Sequence, residues 1–301
     1  MKNLQFVVTI AILLFASTLA QSSDKRRIAL VTMASAAGDI QKNVEKIERY
    51  MEQASKKGAQ LVLFPELSLT ANFPDAGDAA IERNSPILLR LAKKAEKLGL
   101  AVSVGFPEKC GDKIYVAQAF LHHGEVKSVY RKIFCCEEWG NDGENFEIVD
   151  WDGVKVGTII CFDLHFPEAS RGYGKRGADM ILFPAAYDSS ADGALSLENH
   201  NVYLGLARAK ENSVFFFEVN CSMDPSKKND KSRGKVSKGN GHVLAVSPNG
   251  KILWHSADSY NEQMVVLDID IVEARKTEHS GKHIPQVVKR IGLLKKVPAS
   301  K

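Results

Sequence analysis

The sequence predicts a layered α/β protein folded as one domain, and three observations carry that prediction. Short apolar runs of strand length alternate with segments of helical period. Two distant segments echo each other. No linker rich in Pro, Gly or Ser divides the 301 residues. With 45% hydrophobic and 25% charged residues, the chain also has enough apolar material for a sizeable core.

Taken in order, "IALVTMA" (Ile28 to Ala34) is a short apolar run bounded by Arg27 and a polar turn near Gly38, which predicts a buried strand. A helix follows with Asp39 as N-cap; Val44, Ile47, Met51 and Ala54 recur at helical spacing until Gly58 stops it. "AQLVLFPE" is a strand stopped by Pro65, then comes a helix around Ile87, Leu91, Ala95 and Leu98, ended by Gly99, then the strand "AVSVGF". The middle of the chain reads as strands, "IYVAQAFL", "GEVKSVYRK" and "FEIVDWDGVKVGTIIC", joined by hairpin turns at His123-Gly124 and Asp152-Gly153. A helix over Pro167 to Arg176 leads to the strand "ADMILFPA", and a longer helix covers Leu195 to Asn212. Three segments close the domain: the strand "VFFFEVN", the hairpin "HVLAVSPNGKILWHS" and the strand "MVVLDID".

The expected domain spans residues 25–276, with a basic tail over 277–301. Ahead of it, Lys2, an apolar run from Leu4 to Leu19 and the small residues Ser17, Thr18 and Ala20 predict a signal peptide over 1–20, and hence a secreted or periplasmic protein. An uncleaved anchor is the alternative, and no later segment has the length to span a bilayer. The net charge is +4, and the basic residues of Lys227 to Lys238 and of the tail have no aromatic residues among them, which argues for solvated segments and against a nucleic-acid surface. The five cysteines (Cys110, Cys135, Cys136, Cys161, Cys221) are odd in number and irregularly spaced, so neither a disulfide framework nor a zinc site is expected.

The internal echo pairs "KKGAQLVLFPEL" (Lys56 to Leu67) with "KRGADMILFPAA" (Lys175 to Ala186). Both read as helix end, Gly turn, buried strand and Pro stop. Where Glu66 stands in the first copy, Ala185 stands in the second, so the strand ending does not itself require a carboxylate. Cys161 and Lys132 also follow apolar runs. A thiol, a carboxylate and a cation at strand ends are the groups that acyl transfer needs: one attacks a carbonyl carbon, one takes the proton and one faces the oxyanion. His165 follows Cys161 too closely, ahead of a Pro, to turn back on the thiol as a base.

"LVLFPELSLT", "YRKIF" and "VGTIICFDLHFPEASR", in this order, resemble the three signature regions of the nitrilase superfamily of carbon-nitrogen hydrolases. The similarity continues through "GADMILFPAA", "ARAKENSVFFFEVN" and "GHVLAVSPNGKIL". The resemblance implies a four-layer α-β-β-α sandwich that assembles into dimers or larger homo-oligomers. It assigns Cys161 as nucleophile, Glu66 as general base and Lys132 as stabiliser of the oxyanion, with the Phe162 backbone N–H completing the oxyanion hole. A further glutamate follows the lysine in relatives; Glu138 fits that place, with Glu137 as its rival. The implied reaction cleaves a small-molecule amide or N-carbamoyl compound through a thioester, with no metal or organic cofactor.

Phe162-Asp163 after the nucleophile favours an amide over a nitrile, because nitrilases usually carry Trp-Glu there. A nitrilase and a secreted vanin-like amidase are the alternatives within the superfamily, and Asp163 itself reads as structural. Outside it stand a catalytically silent scaffold and a thiol redox protein using Cys135 and Cys136. Val116 and Val243, where many relatives have Asn and Ser, motivate the scaffold. Fast alkylation at Cys161 is the mark expected of the enzyme.

Overall fold

A computed structural model describes residues 24–187, 194–222, 239–256 and 261–276. The segment read as a signal peptide, the basic loop over 227–238 and the basic tail lie outside the described residues. Among the described residues no helix is long and apolar enough to cross a membrane.

Two six-stranded sheets form the centre. The first contains β1 (Lys25–Thr32), β2 (Leu61–Leu63), β3 (Ala101–Cys110), β4 (Lys113–His122), β5 (Glu125–Arg131) and β12 (Gln263–Asp270), in the order β12-β1-β2-β3-β4-β5. The second contains β6 (Val149–Trp151), β7 (Val154–Thr158), β8 (Met180–Ala185), β9 (Phe215–Asn220), β10 (Val243–Val246) and β11 (Ile252–His255), in the order β11-β10-β9-β8-β7-β6. β1, β2 and β3 run parallel, as do β7, β8 and β9, and the flanking pairs are antiparallel.

Strand periodicity decides the layers. Ile28 and Leu30 face the second sheet, whereas Ala29 and Val31 face the helices; likewise Phe215 and Phe217 point between the sheets and Phe216 points outwards. Helices α1 (Ile40–Lys56) and α2 (Pro86–Lys97) cover the first sheet through Val44, Ile47, Met51, Leu88, Leu91 and Ala95. Helices α3 (Pro167–Lys175) and α4 (Ala194–Asn212) lie on the second, with Ala169, Tyr173 and Ala209 among Ile181, Phe183 and Phe216. A short α5 (Val272–Lys276) follows β12. The result is the single-domain α-β-β-α sandwich expected from the sequence.

The helix ends obey their local chemistry. The Asp39 side chain accepts from the Lys42 N–H at 3.1 Å and Ser85 accepts from the Leu88 N–H at 3.3 Å, with Pro86 in the first helical turn. The echo is explained by equivalent places: β2 and β8 are each flanked by parallel strands, and each is preceded by a helix end with a glycine at positive φ, Gly58 (φ 72) and Gly177 (φ 75).

One boundary differs from the sequence expectation. The strand predicted to run through Cys161 ends at Thr158; pairing persists to Ile159, whose N–H donates to the Leu182 carbonyl at 3.0 Å. The chain then turns sharply, and Cys161, at φ 44, opens a 3₁₀ turn over Cys161–His165. The nucleophile candidate thus stands beyond the sheet edge on a strained turn, not on the strand.

Candidate active site

Glu66, Lys132 and Cys161 come from three separate loops and converge. Glu66 leaves β2 after the Pro65 stop. Gly105 on β3 makes its position possible: a Cβ there would lie 2.4 Å from the Leu67 nitrogen and 2.6 Å from the Pro65 oxygen, so only glycine lets the Glu66 loop press onto the sheet. The Leu69 N–H donates to the Gly105 carbonyl at 3.0 Å and the Gly105 N–H donates to Ser68 Oγ at 3.1 Å.

Lys132 follows β5 directly and is fully buried. Its N–H donates to the Val116 carbonyl and its own carbonyl accepts from the Gly143 N–H, both at 2.8 Å. Val116 thus meets Lys132 through its backbone. The ammonium donates to Glu66 Oε1 at 2.9 Å and to Glu137 Oε1 and Oε2 at 2.9 and 3.1 Å, with Cys136 Sγ at 3.5 Å. A buried ammonium is tolerable only with such partners.

The glutamate that meets Lys132 is therefore Glu137, which corrects the placement expected for Glu138. The Gly140 N–H donates to the Glu137 carbonyl at 2.9 Å, closing a turn that directs Glu137 inwards and leaves Glu138 exposed. Further contacts fix the Glu137 carboxylate: the Cys136 N–H donates to Oε2 at 3.2 Å, and Cys135 Sγ lies 3.3 Å from the same oxygen.

Cys161 is held by its neighbour Asp163. One Asp163 oxygen accepts from the Ile160 N–H at 2.9 Å and from the Tyr130 hydroxyl at 2.7 Å, the other from the Phe134 N–H at 2.9 Å. This buried carboxylate ties the nucleophile's turn to the strand and loop that carry Lys132, which is the structural role read from the sequence. Phe162 follows with a side chain 41% exposed, beside the rings of His165 and Phe166. His165 ends the 3₁₀ turn, and the buried His242 places its Nδ1 3.0 Å from Glu218 Oε1.

The electrostatics divide labour among these groups. Burial and the negative charge of Glu137 raise Glu66 to about 7, against the pull of Lys132. Burial alone would lower Lys132, but the negative charges of Glu66 and Glu137, joined by Cys161 whenever it ionises, outweigh it and keep the ammonium charged. Burial raises Glu137, yet Lys132 wins and the net shift is downwards. Burial and Glu66 push the Cys161 thiol well above its ordinary range, although Lys132 and a hydrogen bond from the Ala186 backbone favour the thiolate. The resting site thus holds a neutral thiol near a carboxylate poised near neutrality.

Sequence reasoning did not anticipate Cys136 beside Lys132, nor a second buried cluster in which Glu218 Oε1 accepts from the Tyr187 hydroxyl at 3.1 Å. No motif in "FFFEVN" or "AAYDSS" signals that pairing; it depends on loops folding over the second sheet.

A sandwich of this kind, with a thiol, a carboxylate and an ammonium meeting at its strand ends, defines a cysteine-dependent hydrolase. The chain belongs to the carbon-nitrogen hydrolase family, whose sequence profile matches residues 27–279, and thus to the nitrilase superfamily. It is similar to the chloroplastic omega-amidase of Arabidopsis thaliana, 31% identical over 269 aligned positions, an alignment that covers 81% of this chain and 68% of that protein. It is also similar to the (R)-stereoselective amidase of Pseudomonas sp., 25% identical over 264 aligned positions that cover 84% of this chain and 89% of that protein. Among solved structures it resembles an amidase from Nesterenkonia sp. AN1 carrying the acetamide moiety of fluoroacetamide on its active-site cysteine, with TM-score 0.70, 25% identity, and coverage of 87% of this chain and 97% of that one. The Nit3 structure from Saccharomyces cerevisiae matches with TM-score 0.70 at 22% identity, covering 93% of this chain and 96% of that one, a likeness of fold.

Proposed function

We propose that this chain is an amidase that hydrolyses a linear amide or N-carbamoyl compound to an acid plus ammonia or an amine, through a thioester on Cys161. The observation that carries this is the meeting of Glu66 Oε1 and Glu137 Oε1 on Lys132 Nζ, each at 2.9 Å, with Cys161 near enough for Glu66 and Lys132 to act on its thiol. The amidase relatives and the cysteine adduct of the Nesterenkonia enzyme support the same reading.

Glu66 takes the thiol proton as the sulfur attacks the amide carbon. The oxyanion that forms is met by the Lys132 ammonium and the Phe162 N–H. The tetrahedral intermediate collapses, its C–N bond breaks, and Glu66 gives the proton to the departing nitrogen. Water then gives Glu66 a proton while its oxygen attacks the thioester, releasing the acid and returning the thiol. Glu137 fixes Lys132 and accepts from the N–H of the departing group. Lys132 stays charged throughout, a fixed cation and not a proton carrier.

The test is ammonia release from a panel of linear amides, N-carbamoyl amino acids and nitriles, with Cys161→Ala as control. Hydrolysis of an amide or carbamoyl compound that disappears in the variant supports the proposal; full activity in Cys161→Ala overturns it. The apolar run from Leu4 to Leu19 supports export as part of the same proposal, checked by whether the mature chain begins at Gln21. Assembly as a homo-oligomer rests on the family resemblance and is checked by light scattering.

A further inference from the structure

The geometry points to a site for a divalent transition ion of the zinc class, formed by His122, His123 and Asp152 where a hairpin of each sheet meets the other. His122 ends β4 and His123 sits in the β4–β5 turn, whereas Asp152 sits in the β6–β7 turn. The first sheet thus supplies two imidazoles and the second sheet one carboxylate. The site lies at the end of the sandwich opposite the reaction: His122 is near the start of β3, paired through Leu121 with Val102, and Asp152 precedes β7, whereas Glu66 and Cys161 follow β2 and β7.

Two of the three ligand-atom spacings already suit a small ion. Asp152 Oδ1 is 3.2 Å from His122 Nε2 and 3.2 Å from His123 Nε2, and all three ligand atoms lie within 4.8 Å of one another. Zinc bonds to nitrogen and oxygen are about 2.0–2.1 Å, which makes the edge of a tetrahedron about 3.3 Å. Two imidazoles and one carboxylate are a donor set for zinc and its neighbours in the first transition row; magnesium and calcium favour oxygen alone.

Both turns are held for the purpose. His123 (φ 50) and Gly124 (φ 72), like Asp152 (φ 47) and Gly153 (φ 80), are successive residues at positive φ, as a tight two-residue hairpin requires. Arg26 Nη2 donates to the Asp152 carbonyl at 3.1 Å, Arg275 Nη2 donates to the Gly153 carbonyl at 2.7 Å, and the Gly153 N–H donates to Asp150 Oδ1 at 2.8 Å. His122 is only 8% exposed and its Nδ1 is buried without a hydrogen-bond partner, so the ring acts through Nε2. The His123 side chain, at 65% exposure, is free to rotate from its 3.7 Å stack on His122 and bring its nitrogen onto an ion. An ion there clips the two sheets together and serves stability; it takes no part in amide cleavage.

The test is calorimetric titration of zinc chloride into the full-length chain and into His123→Asn and Asp152→Asn. Asparagine tolerates positive φ, so both turns are kept. Because free thiols also bind zinc, the readout is a difference: each turn variant loses one equivalent relative to the unaltered chain, and Cys161→Ala keeps it. Excess zinc raises the melting temperature of the unaltered chain by a few degrees, magnesium does not, and both turn variants lose the zinc effect. Amide hydrolysis without added metal is the same in all but Cys161→Ala. Equal zinc stoichiometry in the unaltered chain and the two turn variants overturns the site and leaves Asp152 as a hydrogen-bond bridge only.

Discussion

Replacing Glu137 with glutamine keeps its shape, removes its charge, and moves the pH dependence of the reaction. In the proposed mechanism Glu66 must be unprotonated to take the thiol proton, and it sits at about 7. Activity in the unaltered enzyme therefore rises with pH through that region. Glu66 and Glu137 both bond to Lys132 Nζ at 2.9 Å, which puts their nearest oxygens no more than about 5.8 Å apart. Two like charges about 5–6 Å apart at an effective dielectric near 20 repel by about 3 kcal/mol, equivalent to about 2 pKa units. Removing one charge also leaves Lys132 to pair with Glu66 alone, which acts in the same direction. The acid limb of kcat/KM for Glu137→Gln is thus expected about 2 units lower, near pH 5, with a reduced plateau. The assay is initial-rate ammonia release from pH 4 to 9 on the best substrate of the panel. A limb that stays near 7 or moves upwards would falsify the assignment of Glu137 as the charge that tunes Glu66.

Three further outcomes follow from the same geometry. Glu66 is raised from 4.5 to about 7 on folding, so the native state binds its proton more tightly than the unfolded chain does, and stability is lost as pH rises between those values. Relative to Glu66→Gln, the unaltered enzyme should lose about 3 kcal/mol between pH 4.5 and 8, read from urea unfolding, while activity in the variant falls by about 10²-fold or more; parallel stability profiles would refute this. Cys161 stands at φ 44, which costs a residue with a Cβ about 1–2 kcal/mol, so Cys161→Gly should be more stable than Cys161→Ala by about 1 kcal/mol, and the reverse order would contradict the strained turn. Gly105→Ala puts a Cβ 2.4 Å from the Leu67 nitrogen, and should displace the Glu66 loop with a loss of activity of about 10²-fold; near-normal kinetics would show that the contact is not needed.

Much of the fold was legible because strand period and helix period are local properties. Ile28 to Val31 declare their faces by alternation, Asp39 and Ser85 start helices by their own side chains, and the echoed segments repeat one local solution in two sheets. Glu66 and Lys132 were legible as chemistry because each follows a recognisable strand. Cys161 was identified as a residue but misplaced as a conformation: apolar composition runs smoothly past Thr158, and what ends the strand is the Asp163 carboxylate gathering Ile160, Tyr130 and Phe134, contacts that no local pattern reports. Glu137 and Glu138 differ by one position in an irregular loop with no period, so their facing is decided by the turn that Gly140 closes onto Glu137. The His122, His123 and Asp152 cluster was invisible for a related reason, since its members sit on hairpins of different sheets.

The central claim is that Cys161, deprotonated by Glu66, carries the acyl group. Its most direct test is rapid-quench mass spectrometry during turnover of a slow amide, with peptide mapping of the adduct. The account requires an acyl thioester on Cys161, formed and discharged at rates that match turnover, and absent in Cys161→Ala. An adduct on the neighbouring Cys136, or steady hydrolysis by Cys161→Ala, would contradict it.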